Sequence, residues 1–110
     1  MFSIFKKKEK KYQDINPEEF LDKMSSTNAV VIDVRMPAEL SSGKIRGARN
    51  INVMGRFKSK VVNLPKDKEY LIYCRSGNRS ASAAQIMTDL GFESVSNLRG
   101  GVMAWPYDLA

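Results

Sequence analysis

The sequence predicts an α/β domain with a mainly parallel sheet. Three observations lead there. Two short apolar runs, Ala29-Val30-Val31-Ile32 and Tyr70-Leu71-Ile72-Tyr73, are continuous rather than alternating, as in strands buried on both faces. A helical pattern over residues 79–90 follows the second run directly, with Ala83, Ile86, Met87 and Leu90 on one face and Gly91 as its stop. Strand and helix patterns alternate along the chain, the order expected of parallel strands joined by crossover helices. The 110 residues fit one such domain, because domains are commonly about 100–150 residues long.

The elements follow in order. Residues 1–11 form a basic N-terminal tail, with the domain expected over residues 12–110. Asn16-Pro17-Glu18-Glu19 is a helix start: Asn16 can cap, Pro17 suits the first helical position, and the glutamates favour the positive helix end. Phe20, Leu21 and Met24 continue it at helical spacing. The strand at 29–32 comes next, then a short helical turn over residues 37–40 ended by Ser41-Ser42-Gly43. Residues 51–53 are expected to form a short strand, and residues 57–64 a helix stopped before Pro65. After the strand at 70–73 and the helix at 79–90, residues 95–98 form a last strand. Gly100-Gly101 then opens a turn into a short helix through Trp105, halted by Pro106.

Composition removes several chemistries. The chain has no histidine, which excludes a Ser-His-Asp triad, a Cys-His pair and a histidine metal site. Its single cysteine excludes an internal disulfide, a CxxC redox pair and a zinc knuckle. No cofactor or metal is expected. No apolar run reaches the 18 residues of a membrane span. A lone thiol suits a reducing cytoplasm, the expected compartment. The net charge is +6, but residues 1–11 hold five lysines and one glutamate. The other 99 residues hold 13 basic and 11 acidic side chains, so the body is nearly balanced. The tail reads as a solvated terminus, with weak attraction to anionic lipid or RNA as the alternative. Phe2, Ile4 and Phe5 would then serve as a small apolar tip, or pack on the domain. No specific nucleic-acid partner is expected.

The one cysteine falls where ligands gather in parallel sheets, beyond the carboxyl end of a strand. The strand at 70–73 runs into Cys74-Arg75-Ser76-Gly77-Asn78-Arg79-Ser80, and the helix follows at once. A loop between a strand and a helix N-terminus can turn several N–H groups inward and make an anion nest. Gly77 permits the tight curvature. Arg75 and Arg79 add two positive charges near the sulfur. Amides, helix dipole and arginines all favour thiolate over thiol, so Cys74 is the candidate nucleophile and needs no histidine base. A merely structural cysteine does not require such polar neighbours.

Four segments together give the chain a family resemblance. The first is the six-residue stretch from Cys74 to Arg79. The second is Ile32-Asp33-Val34-Arg35-Met36-Pro37-Ala38-Glu39-Leu40, with its glutamate four residues after the arginine. The others are Gly43-Lys44-Ile45-Arg46-Gly47-Ala48-Arg49-Asn50-Ile51 and Gly100-Gly101-Val102-Met103-Ala104-Trp105. In this order and spacing, over residues 12–106, they resemble a single-domain rhodanese, a sulfurtransferase with a cysteine-led loop. The resemblance implies a three-layer α/β/α fold around a mainly parallel five-stranded sheet. Two departures stand out: Lys44 where the family commonly has histidine, and Arg46 where it commonly has proline. Both add positive charge to a loop expected near the site entrance.

The resemblance implies that Cys74 takes sulfur from a donor such as thiosulfate, holds it as a persulfide and passes it to cyanide or a thiol. Arg75, Ser76, Gly77, Asn78 and Arg79 would bind the anionic donor, largely through backbone N–H groups. Arg75 is expected at the rim; Arg79 is expected either to join it or to fix the loop. Asp33 and Arg35 read as a structural pair, Gly100 and Gly101 as a sharp turn, and Trp105 as packing. Two other functions compete. One is a persulfide carrier serving a protein partner. The other is a cysteine phosphatase or arsenate reductase, whose loop places an arginine six residues after the cysteine; here that position is Ser80. A binding or regulatory module of this family is usually recognised by loss of the cysteine, and the retained Cys74 argues against that reading.

Overall fold

The computed structural model describes residues 9–110. Five parallel strands form one sheet in the order β1-β5-β4-β2-β3. They are β1 (Gln13–Ile15), β2 (Ala29–Asp33), β3 (Arg49–Asn50), β4 (Glu69–Tyr73) and β5 (Ser94–Leu98). The helices are α1 (Pro17–Met24), α2 (Phe57–Val61) and α3 (Asn78–Asp89), with 3₁₀ turns at Pro37–Ser42 and Val102–Ala104.

Strand alternation divides the core into two layers. Tyr70 and Ile72 of β4 face the α2 and α3 side with Ile32, Phe57, Val61, Ala83, Ala84 and Met87. Leu71 and Tyr73 face the α1 side with Ile15, Phe20, Val31 and Leu98. β4 is thus apolar from Tyr70 to Tyr73 because both its faces are covered there. Asn16 caps α1 by accepting the Glu19 N–H at 2.8 Å. The cap sets Phe20 inward, where its ring meets Tyr73 and Trp105 edge-on at 6.4 and 5.7 Å. Trp105 is a packing residue, as expected.

Several boundaries differ from the sequence-based expectation. β1 is unforeseen: three residues with one buried apolar side chain carry no readable period, and pairing with β5 forms the strand. The third strand is Arg49–Asn50, not 51–53. Residues 51 and 53 still donate to β2 and the residue beyond it (Ile51 N–H to Asp33 at 2.9 Å, Val53 N–H to Val34 at 3.0 Å), but the chain is already leaving the sheet. α2 ends at Val61, and its last residues form a turn ahead of Pro65. In α3 the buried face is Ser80, Ala83, Ala84, Met87 and Thr88, while Ile86 and Leu90 are only partly covered.

Most of the basic tail, Phe2, Ile4 and Phe5 included, lies outside the described residues. Lys10 is described and pairs with Asp14 at the start of the sheet. Arg46 lines a hollow with Ala29 and Val30, at the beginning of β2, and another with Leu21 and Trp105. Neither hollow is lined by a residue of the Cys74 loop. The loop of Arg46 is held there because Ile45 is buried in the α1-side core and donates its N–H to the Tyr73 hydroxyl at 3.0 Å. No helix among the described residues is long and apolar enough to cross a membrane.

Candidate active site

All five strands run parallel, so their carboxyl ends share one edge, and β4 delivers Cys74 to its middle. The cysteine is buried, 1% exposed, and free. Its sulfur accepts the Gly77 N–H at 3.1 Å and the Ser80 hydroxyl at 3.3 Å. Burial pushes the Cys74 pKa up. Donation from the Ser80 side chain and from the backbone N–H groups of Ser80, Gly77 and Ser76 outweighs it, and the net shift is downward. The fold therefore favours thiolate, through hydrogen-bond donors rather than a neighbouring base.

The donors point inward because the loop carbonyls are tied outward. Val102 N–H donates to the Cys74 carbonyl at 2.9 Å, and Met103 N–H to the Arg75 carbonyl at 3.0 Å. This contact needs glycine at 101. A Cβ on Gly101 would lie 2.3 Å from the Arg75 carbonyl oxygen and 2.6 Å from the Ser76 nitrogen. Gly101 therefore lets two backbones touch, beyond making the expected turn. Gly77 adopts φ +104°, which aims its N–H back at the sulfur and starts α3.

The two loop arginines occupy different positions. Arg75 is exposed and makes no hydrogen bond or ion pair through its guanidinium among the described residues. Arg79 makes two parallel bonds to the Glu39 carboxylate, at 2.7 and 2.8 Å. Glu39 also accepts the Met36 N–H at 3.1 Å. The Arg79 bonds pull the Glu39 carboxyl down to about 2. Arg79 thus straps the start of α3 to the turn after β2. Ser76 and Asn78 are exposed on the loop, and Gly77 is buried beneath it.

The Asp33–Arg35 pair is structural in its geometry. Both side chains are buried, with guanidinium–carboxylate bonds of 2.7 to 3.1 Å. Arg35 also donates to the Gly43 carbonyl at 2.8 Å and the Glu39 carbonyl at 3.3 Å. It organises the same turn that presents Glu39 to Arg79. Among the described residues no group of three or more histidine, cysteine, aspartate or glutamate side chains is placed to hold a metal ion.

Sequence reasoning located the cysteine-led loop but missed three groups that surround or support it. Ser80 appeared only as the residue standing where a phosphatase has arginine; its place in the first turn of the helix could have marked it as a donor to the sulfur. Glu39 was part of a recognised segment without a role. Gly101 was read as a turn alone.

The fold and loop define a class of α/β domain that holds a cysteine sulfur between a central strand and the following helix. Within that class the chain belongs to the rhodanese-like domain family, whose model matches residues 16–107. A sulfurtransferase of Allochromatium vinosum is 37% identical over 93 residues, covering 84% of this chain and 86% of that protein. The thiosulfate sulfurtransferase GlpE of Pseudomonas putida is 33% identical over 94 residues, covering 86% and 84%. Among solved structures, a rhodanese-related protein from Thermoplasma volcanium superposes with a TM-score of 0.79 at 32% identity, covering 90% of this chain and 98% of that one. A Rhodopseudomonas palustris protein described as a possible tyrosine phosphatase gives 0.74 at 26%, covering 86% and 79%.

Proposed function

We propose that the protein is a sulfurtransferase that moves a sulfane sulfur from a donor such as thiosulfate to a thiophilic acceptor. The observation that carries this reading is the Cys74 sulfur under the donors of Gly77 and Ser80, in a chain of the rhodanese-like family. The Cys74 thiolate attacks the outer sulfur of thiosulfate. The S–S bond of the donor breaks, sulfite leaves with the bonding pair, and Cys74 becomes a persulfide. Cyanide or a thiolate then attacks the outer persulfide sulfur, and Cys74 leaves as the thiolate that began the cycle. No net proton is needed when the entering nucleophile is an anion, which suits a site without histidine. Two half-reactions sharing one covalent intermediate give ping-pong kinetics.

The residues divide this work. Cys74 carries the sulfur. The N–H groups of the loop over residues 75–79 and the Ser80 hydroxyl stabilise the anionic sulfur. Arg75, exposed and unpaired, gathers the anionic donor at the rim. Arg79 holds the loop through Glu39 rather than meeting substrate.

A phosphatase is the competing chemistry, and the name of the Rhodopseudomonas palustris neighbour keeps it in view. Two observations weigh against it. The sixth residue after Cys74 is Ser80, and Arg79 already spends its paired donors on Glu39. A phosphoryl group would find no free loop arginine beside the sulfur except Arg75 at the rim. Mass spectrometry after thiosulfate treatment tests the assignment. One sulfur atom should be added to the wild type and none to Cys74→Ser. Thiocyanate should form on adding cyanide. Release of phosphate from an aryl phosphate, with no sulfur ever gained, would overturn it.

A further inference from the structure

Asn97 is the one polar side chain of β5 that reaches the Cys74 loop. It stands on the same strand face as Val95, which packs in the core beneath α3. It is 3% exposed. Its amide NH₂ donates to the Gly77 carbonyl at 3.2 Å and to the Asp14 carboxylate at 2.9 Å. Both neighbours are acceptors, so the amide has one workable orientation. The other end, Oδ1, is then buried with no partner among the described residues. A buried unpaired acceptor is destabilising, and an apolar side chain at 97 would avoid it.

The loop explains why an amide stands there. Gly77 donates its N–H to the Cys74 sulfur, and its carbonyl receives both Asn97 and the Ala81 N–H of the first helical turn. Glycine at φ +104° has no side chain to hold its orientation, so its peptide groups are held from outside or not at all. Asp14 faces Asn97 directly across the β1–β5 ladder. Asp14 is itself secured by Lys10 on its carboxylate and by Arg99 on its carbonyl, at 3.2 Å. The chain of contacts runs from the edge strand through one amide to the glycine that bonds the sulfur.

We propose that Asn97 is a positioning residue for the thiolate. Anchored by Asp14, it fixes the Gly77 carbonyl and so keeps the Gly77 N–H on the Cys74 sulfur. The orphaned Oδ1 is the cost of presenting two N–H donors at this point. The unforeseen strand β1 thereby has a function, since it carries the acceptor that orients Asn97. Ser80 reaches the sulfur from α3 independently, so loss of Asn97 weakens the thiolate without abolishing it.

The test is the pH profile of Cys74 alkylation by iodoacetamide, which needs no sulfur donor and stands apart from the proposed function. Asn97→Leu removes both the amide and the orphaned acceptor, and is expected to fold at least as well as the wild type by thermal melt. Its profile should move to higher pH by about 0.5 unit, a roughly threefold loss of alkylation rate on the acid limb. Asn97→Ala should shift it in the same direction. Asp14→Asn keeps an acceptor for Asn97 and should leave the midpoint unmoved or slightly lower, because it removes a nearby negative charge. A purely structural Asn97 would change the melt and not the profile. If the Leu and Ala variants, folded, superpose on the wild-type profile, the proposal is wrong. If Asn97→Leu does not fold, the Ala profile decides alone.

Discussion

Replacing Gly101 with alanine is the sharpest perturbation the fold offers, because it touches neither the sulfur nor any charged group. Two independent costs arise. The backbone at 101 has φ +64° and ψ −165°, a region open essentially to glycine, where another residue costs roughly 1–3 kcal/mol. The new Cβ would also stand 2.3 Å from the Arg75 oxygen, 2.4 Å from its carbonyl carbon and 2.6 Å from the Ser76 nitrogen. All three are backbone atoms, so no side-chain rotation relieves the contact. The loop must retreat toward ordinary contact at about 3.4 Å or more, a movement on the order of 1 Å, and such a misplacement can cost about 100-fold in rate. We expect Gly101→Ala to lose about 100-fold in thiocyanate formation from thiosulfate and cyanide. With about 3 kcal/mol of destabilisation and about 4 °C per kcal/mol for a domain of this length, the Tm should fall by about 12 °C. Assaying well below that Tm separates misplacement from unfolding. A folded Gly101→Ala enzyme within threefold of wild-type activity would refute the claim that backbone contact at 101 sets the loop.

Other expectations follow from the same geometry. Ser80→Ala removes a hydroxyl from the Cys74 sulfur and should raise the thiol pKa by about 0.5–1 unit, read as a shift of the alkylation profile to higher pH. Arg75→Ala should raise the KM for thiosulfate about threefold to tenfold with kcat little changed; wild-type KM should rise with salt and the variant's should not. Glu39→Gln unpairs Arg79 and should cost about 1 kcal/mol at pH 7 by thermal melt, because the pair is about one-third exposed. The folded Glu39 carboxyl lies at about 2, below its ordinary 4.5. Its contribution is therefore complete above about pH 4.5 and lost as pH falls toward 2, so the wild type and Glu39→Gln should converge in stability there. Asp33→Ala leaves Arg35 buried and unpaired and should cost about 3–5 kcal/mol, seen as a much lower Tm.

What the sequence made legible was whatever a short window of residues determines. β2 and β4 announce themselves because burial on both faces demands unbroken apolar runs. The loop announces itself because glycine, arginine and asparagine after a buried strand do not serve packing. What stayed hidden depends on partners distant in sequence. β1 is a strand only because β5 lies beside it, 83 residues away at the Asp14–Asn97 contact. The second role of Gly101 needs the Arg75 carbonyl within reach. The bidentate bonds of Arg79 needed the position of Glu39, 40 residues earlier.

A cysteine shifted toward thiolate without a base is stabilised by groups that do not themselves titrate near neutral pH. Here those groups are peptide N–H donors and one hydroxyl, so their strength depends on position. That places the demand on the scaffold. The 3₁₀ turn at Val102–Ala104 ties the loop carbonyls, Glu39 straps the start of α3, and Asn97 holds the far side of Gly77. The supports come from the ends of β2 and β5, which parallel order brings to one edge of the sheet. On the proposed function, the free arginine at the rim serves capture of the anionic donor. The paired one is tied to Glu39, where its rigidity serves geometry. Loss of a support should therefore move the Cys74 pKa and kcat together, whereas loss of Arg75 should move KM; a variant set showing the reverse division would break this assignment of roles.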